Sequence, residues 1–378
     1  MRGLYIHIPF CRKKCAYCDF VSFENSPHMD SYIDAVGKEL ELYAELFGRE
    51  APFEISSIYI GGGTPSLIDG IDRLLDKAMK LYNVRSNAEI SIECNPESVT
   101  RKKLKSYHLC GINRLSIGLQ SADDRLLCGI GRIHNRAQFE TALNFALAAG
   151  FSNINVDIMY GLPGQDMDAF LDTVRYISAL PITHISAYSL ILEENTPLWR
   201  DYKAGKLTLP DEDITANMQD EAIKVLNSAG FSRYEVSNFS KPGFECVHNL
   251  TYWHNLEYLG VGVAAHSALK KGGWLRSCNT TNIDDYMSLI KKGIRPIIEE
   301  SAIEKNEEMF ECMMLGLRLV CGVDIKEFTK RFAISPMEAY GFKLATLIEK
   351  KLLTIDHGHI YATSRGFDIL NSVICELL

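Results

Sequence analysis

Leu4-Tyr5-Ile6-His7-Ile8-Pro9-Phe10-Cys11-Arg12-Lys13-Lys14-Cys15-Ala16-Tyr17-Cys18 opens the chain with a short β-type run that leads straight into three closely spaced thiols. Leu4 to Ile8 predicts a strand, and similar runs recur at Ile55 to Ile60, Glu89 to Glu93, Arg114 to Gly118, Asn153 to Tyr160 and His184 to Ile191. Segments of helical periodicity follow them at Asp30 to Phe47, Ser66 to Leu81, Arg101 to Leu109, Arg136 to Ala149, Met167 to Leu180 and Asp211 to Ala229. Alternating β and α elements imply a parallel sheet, and six units by residue 230 suit an incomplete (β/α)6 TIM-like barrel. A doubly wound open sheet is the alternative. The barrel is favoured by where the unusual residues fall: Cys11, Cys15 and Cys18 follow the first strand, Gly61-Gly62-Gly63-Thr64 the second, and Glu93, Gln120 and Asp157 end the next three. All would converge on the C-terminal rim, where barrel loops build sites.

Residues 231–300 break the rhythm and read as a connecting segment that carries His248-Asn249-Leu250-Thr251-Tyr252-Trp253. Residues 301–378 read as a small helical, winged-helix-like domain with helices at 304–319, 325–332 and 336–351, a hairpin at 353–361 and a last helix at 365–377. Residues 304–378 hold 9 Lys/Arg against 11 Asp/Glu, so a packing or lid role is expected there rather than DNA binding.

Composition excludes several classes. The 378 residues are 47% hydrophobic and 23% charged, which is ordinary globular material and not a disordered chain. Forty basic against 48 acidic side chains give −8, so no nucleic-acid partner is expected. Apolar stretches fall well short of the ~18 to 20 residues that span a bilayer. The N-terminus lacks the apolar core and cleavage site of a signal peptide, which points to a cytoplasmic protein with reduced thiols. Eleven cysteines is an odd number, unevenly spread, and a poor fit to a disulfide framework.

Spacing of +4 and +3 lets one loop wrap Cys11, Cys15 and Cys18 around a single centre. A structural zinc site wants four closed ligands, and the other eight cysteines form no second Cys-x-x-Cys pair. Zinc is the plain alternative. An iron–sulfur cluster held by only three thiolates keeps one iron open for a ligand.

With this motif the sequence resembles the radical S-adenosylmethionine (SAM) superfamily, whose Cys-x-x-x-Cys-x-x-Cys loop binds a [4Fe–4S] cluster and whose aromatic residue before the last Cys is matched by Tyr17. The resemblance implies that SAM chelates the open iron through its methionyl amine and carboxylate, and that the reduced cluster cleaves it to a 5′-deoxyadenosyl radical. It further implies that Gly62, Gly63 and Thr64 hold the methionyl amine, that Glu93 and Asp157 meet ribose hydroxyls, and that Tyr5, Gln120 and Arg132 complete the SAM site. Ion pairs with barrel arginines are an equally good account of Glu93 and Asp157 from the residues alone, because a buried carboxylate needs a partner.

Tyr5 to Cys11, Ile58 to Ser66, Asn113 to Ser121 and Tyr160 to Gln165 narrow the resemblance to the coproporphyrinogen oxidase-like group. That group contains oxygen-independent coproporphyrinogen III oxidases, which decarboxylate porphyrinogen propionates, and heme chaperones. The oxidase pattern has a fourth Cys two residues after the third, where this chain has Phe20, and the oxidase carries an extension ahead of the cluster loop. Residues 248–253 match the His-Asn-x-x-Tyr-Trp motif associated with heme binding in the chaperones. The resemblance therefore implies heme as cargo and a heme-acceptor protein, presumed membrane-bound, as partner, with the chain cytoplasmic or peripheral at the membrane. His248 is the candidate heme ligand, since imidazole is a usual axial ligand and Tyr252 and Trp253 offer flat apolar faces. A loop-capping role for His248 is the plain alternative; Cys246, His254 and His266 are further candidates.

Overall fold

The computed structural model describes residues 2–48, 53–270 and 272–378. Six parallel strands run in sequence order: β1 (Gly3–Ile8), β2 (Glu54–Gly62), β3 (Asn83–Cys94), β4 (Arg114–Gln120), β5 (Asn153–Tyr160) and β6 (His184–Ser189). Helices Met29–Phe47, Ile71–Leu81, Arg101–Leu109, Arg136–Ala148, Met167–Ser178 and Glu212–Ser228 return the chain between and after them. This is the incomplete TIM-like barrel expected from the β-α rhythm.

Strand pleating divides the residues into two sets. Ile58 and Ile60, Leu115 and Ile117, and Ile154 and Val156 face the helices and are fully buried in one continuous core. Their alternates, Tyr59, Arg114, Ser116, Asn155, Asp157 and Ser186, line the inside. The lumen is thus polar and the outer layer carries the hydrophobic stabilisation.

An open barrel leaves two edges, β1 and β6, with unpaired backbone groups. The segment expected as a connector supplies both partners. β7 (Ser232–Arg233) and β8 (Asn238–Ser240) form an antiparallel pair, with β8 against β6; β9 (Tyr258–Val261) runs parallel to β1. β10 (His266–Lys270), β11 (Trp274–Asn279) and β12 (Ile297–Ile303) then extend that side antiparallel. The result is one 12-stranded sheet.

C-terminal residues form a second core around Met313, Leu317, Phe328, Leu344 and Leu347. Helices Lys305–Gly316, Ile325–Phe332 and Pro336–Glu349 pack on a small sheet of β13 (Val323–Asp324), β14 (Leu353–Asp356) and β15 (His359–Ala362). The single last helix expected at 365–377 is two short ones, Ser364–Asp368 and Leu370–Cys375. Among the described residues, no helix is long and apolar enough to cross a membrane.

Glu39 fastens the first helix to the added strands. It is fully buried and accepts hydrogen bonds of 2.7 Å from the Gly262 amide, the Tyr286 hydroxyl and the Asn279 amide. Burial, only partly offset by these donors, pushes its carboxyl from 4.5 up to about 7. Because the folded value is raised, its contribution to stability is complete below pH ~4.5 and is lost as pH rises through 7, on the order of 3 kcal/mol. Urea titrations of wild type and Glu39→Gln across pH 4 to 8 should show a shallower pH slope for the variant; parallel slopes would refute this account.

Candidate functional site: a thiol-rimmed cavity over the polar lumen

Thiol positions are set by backbone hydrogen bonds of the loop after β1. Phe10 and Phe23 form a parallel bridge, and the amides of Cys11 and Phe23 donate to the carbonyls of Phe23 and Pro9, so residues 11–22 close into a loop over the barrel rim. Ala16, between the second and third cysteines, donates to Ile130 and accepts from Leu198. Tyr17 packs beside Leu126, Ile130, Met159 and Leu162. The three half-buried thiols border a cavity of about 410 Å³ that opens downward into the lumen.

Cationic and hydroxyl donors meet the sulfurs. The Arg132 guanidinium lies 3.5 Å from Cys15 Sγ and also donates to Asn95 Oδ1 and the Gly118 carbonyl, while Thr64 Oγ1 is 3.7 Å from Cys11 Sγ. Burial pushes the Cys11 thiol up and the Cys18 thiol up to about 11, so a bound metal has to displace their protons. Among the described residues, no three His, Cys, Asp or Glu side chains are placed to hold one metal ion. A cluster would ask for a wider spacing of the thiols than a single ion, because each thiolate binds its own iron. Cys94 borders the same cavity but is packed in the apolar layer, where burial raises its thiol to about 12.

Gly62 and Gly63 line the cavity side facing β1. Gly62 has φ +119°, and a Cβ there would sit 2.7 Å from the His7 ring. A Cβ on Gly63 would lie 2.8 Å from the Phe10 carbonyl oxygen and 3.0 Å from Cys11 Sγ. Neither position admits a larger residue, and both leave bare backbone facing the thiols.

Glu93 and Asp157 each have partners, and neither is paired directly with an arginine. Glu93 accepts from the Tyr59 hydroxyl at 2.9 Å and the Gly62 amide at 3.0 Å, and burial, reinforced by the Asp157 charge, raises it to about 7. Asp157 accepts from Ser116 at 2.9 Å and Asn155 at 2.7 Å, and burial raises it too. Gln120 ends β4 with φ +70° at a register shift, a strained conformation of the kind that clusters at binding sites.

Tyr17, Gly62, Gly63, Thr64, Glu93, Gln120, Arg132 and Asp157 all line this cavity with the three thiols. Tyr5 and His248 do not. Tyr5 lies deeper on β1, its hydroxyl 3.0 Å from His7 Nδ1, and it faces a neighbouring cavity with His266 and Tyr252. His248 forms the barrel floor: it is 1% exposed, with Nδ1 3.0 Å from the Ser57 hydroxyl and Nε2 2.8 Å from the Tyr252 hydroxyl. Burial, with Arg114 nearby, lowers its pKa to about 3. His248 lies within the helix Val247–Trp253 and caps no loop, and both of its ring nitrogens are committed to side-chain hydroxyls. Cys246 is likewise buried, 3.5 Å from the Glu89 carboxylate.

Tyr59, Arg114, Ser116 and Asn155 were not singled out from the sequence, although they line the cavity. Their signal is the period-two polar alternation within β2, β4 and β5, masked by the apolar residues between them.

A thiol-rimmed cavity at the C-terminal mouth of an incomplete parallel barrel defines a radical SAM protein. The Radical SAM superfamily model matches residues 5–177, and the HemN C-terminal domain model matches residues 303–369. A full-length likeness, 36% identical and covering 99% of this chain and 96% of the relative, is found to heme chaperone HemW of Lactococcus lactis. Heme chaperone HemW of Bacillus subtilis is 34% identical, covering 100% and 99%. The chain belongs to the HemW heme-chaperone family. Its fold is also that of Escherichia coli coproporphyrinogen III oxidase, HemN, a radical SAM enzyme, with a TM-score of 0.84 at 24% identity, covering 100% of this chain and 89% of that one.

Removing the His248 ring should test its structural role. His248→Ala strands the Ser57 and Tyr252 hydroxyls and opens space beneath Gly3, a loss of about 2 to 4 kcal/mol. A denaturant midpoint equal to wild type would show that the floor does not depend on it.

Proposed function

We propose that the chain is a heme-trafficking protein of the cytoplasm, peripheral to the membrane that holds its acceptor, and that it hands heme to a membrane-bound heme enzyme. The observation that carries this reading is the combination of three cavity-facing thiols with Phe20, in place of a further cysteine, on the same wall. Residues 1–230 form the cofactor barrel, 231–300 carry the heme-motif segment, and 301–378 cover it.

In this reading Cys11, Cys15 and Cys18 hold the [4Fe–4S] cluster, and Arg132 beside Cys15 offsets its negative charge. Bare backbone at Gly62 and Gly63, with Thr64, receives the SAM methionyl amine; Gln120 and Arg132 offer donors to its carboxylate. Glu93 and Asp157 accept ribose hydroxyls, and Tyr17 backs the loop. Tyr5 acts through His7, which supports Gly62 from below. When bound and reduced, the cluster supplies an electron to SAM. His248 orders the heme-motif segment.

Anaerobic reconstitution should load about four iron and four sulfide per chain, and Cys15→Ala should retain less than half. Zinc in place of iron would sink the cluster assignment. Heme added to the full-length protein should give a saturable Soret band, while anaerobic incubation with coproporphyrinogen III should yield no protoporphyrinogen. Turnover in that assay would replace the chaperone reading with the oxidase.

A further inference from the structure

Asn95 and His134 each stand two residues after a side chain assigned to the SAM site, Glu93 and Arg132. His134 is buried, with Nδ1 3.3 Å from Arg132 Nε and Nε2 3.2 Å from the Leu119 carbonyl. A carbonyl only accepts and a guanidinium only donates, so Nε2 carries the ring hydrogen and Nδ1 is a bare acceptor. The Glu97 carboxylate, 3.6 Å from Nδ1, is beyond hydrogen-bond reach. With Nε held by His134, Arg132 turns its two Nη2 hydrogens to Asn95 Oδ1 at 3.0 Å and the Gly118 carbonyl at 2.9 Å, and presents Nη1 to Cys15 Sγ at 3.5 Å. Four of its five N–H groups are thereby committed, which leaves one for a ligand in the cavity that Arg132 lines.

Partner chemistry orients Asn95 in the same way. Its Oδ1 faces a guanidinium that only donates, so Nδ2 is the atom turned to Thr64 Oγ1, 3.0 Å away. The Asn95 backbone amide donates to Ser66 Oγ at 3.3 Å and its carbonyl accepts from the Ser98 hydroxyl at 2.8 Å, so the side chain is offered from a fixed turn. A hydroxyl oxygen that already receives a hydrogen sends its own elsewhere, and the Thr64 hydroxyl has Cys11 Sγ at 3.7 Å. Donors thus run in one direction, from Arg132 through Asn95 and Thr64 to Cys11, and from Arg132 directly to Cys15; bonds in such a chain polarise one another.

We propose that His134 and Asn95 are positioning residues that aim these donors at two of the three cysteine sulfurs and thereby set the reduction potential of the cluster. The proposal rests on the cluster reading above and adds the residues that tune the bound group. Hydrogen bonds to the sulfur ligands draw negative charge from a cluster, which raises its potential and eases its one-electron reduction. His134 acts through Arg132, and Asn95 through Thr64 and Arg132 together.

The test is a potentiometric titration of the anaerobically reconstituted full-length chain, followed by electron paramagnetic resonance, with iron and sulfide content and far-ultraviolet circular dichroism as controls. Asn95→Leu, Thr64→Val and His134→Ala should each move the cluster midpoint to a more negative potential. His134→Gln, whose amide keeps one acceptor and one donor, should restore most of the wild-type value. Because Asn95 acts in part through Thr64, Asn95→Leu should shift the midpoint less in a Thr64→Val background than alone. SAM, titrated by its effect on the same spectrum, should bind His134→Ala at least fivefold more weakly than wild type. Wild-type midpoints in Asn95→Leu and Thr64→Val at full cluster content would overturn the proposal, and so would fully additive shifts in the double variant. If Asn95→Leu or His134→Ala fails to fold, Thr64→Val decides, since it removes one hydroxyl at constant shape and an unshifted midpoint there breaks the chain at its last link. No cluster in reconstituted wild type would instead overturn the reading on which the proposal rests.

Discussion

Glu89 ties the two halves of the molecule together. Its carboxylate, on β3 inside the barrel, accepts the backbone amides of Val247 and His248 at 3.2 Å and lies 3.9 Å from the Arg114 guanidinium. A carboxylate at the first turn of a helix neutralises otherwise unpaired N–H groups and complements the helix dipole. Here that interaction seats the Val247–Trp253 helix in the barrel floor, which fixes His248 between Ser57 and Tyr252 and aligns Tyr59 with the His248 ring at a 5.2 Å centroid distance. From that anchor the chain runs directly into β9, which completes the exposed side of β1. The thiol-rimmed cavity above and the C-terminal module beside it both adjoin this join.

A polar lumen is the second constraint. Hydroxyls, amides and carboxylates satisfy one another there: Asn155 bridges Ser116 and Asp157, and His184 links Asn155 to the Tyr234 hydroxyl. Groups held this way lose little on meeting a polar ligand at the rim, because their geometry is already fixed. The hydrophobic layer outside, continuous from Leu4 through Val261, carries the stability that leaves the inside free for chemistry.

Much of the barrel was legible because its signals are local. Each parallel strand is a compact apolar run and each crossover helix a clear stripe, and the thiol triplet stands beside the first strand. Glycine-rich and acidic residues at strand ends map to one cavity for the same reason: a parallel barrel sends every C-terminal strand end to one rim. The hairpin at 353–361 is legible in the same way, whereas the strands β7 to β12 are not, because they are specified by the edges they cover rather than by their own pattern. His248 shows the other limit. A histidine among aromatics reads the same whether it awaits iron or supports a floor, and its contact with Ser57, 191 positions away, is a feature of the fold that no local pattern announces.

Ala16 carries a consequence for how the protein matures. Its amide and carbonyl are held by Ile130 and Leu198, so the loop between Cys15 and Cys18 takes its shape only after the chain through the sixth strand has emerged and packed. The thiol loop is therefore among the last parts of the barrel to acquire its final shape, although it is among the first to be made. Any group that needs all three thiols at once would find them in place only when residues as distant as 198 have packed against the loop.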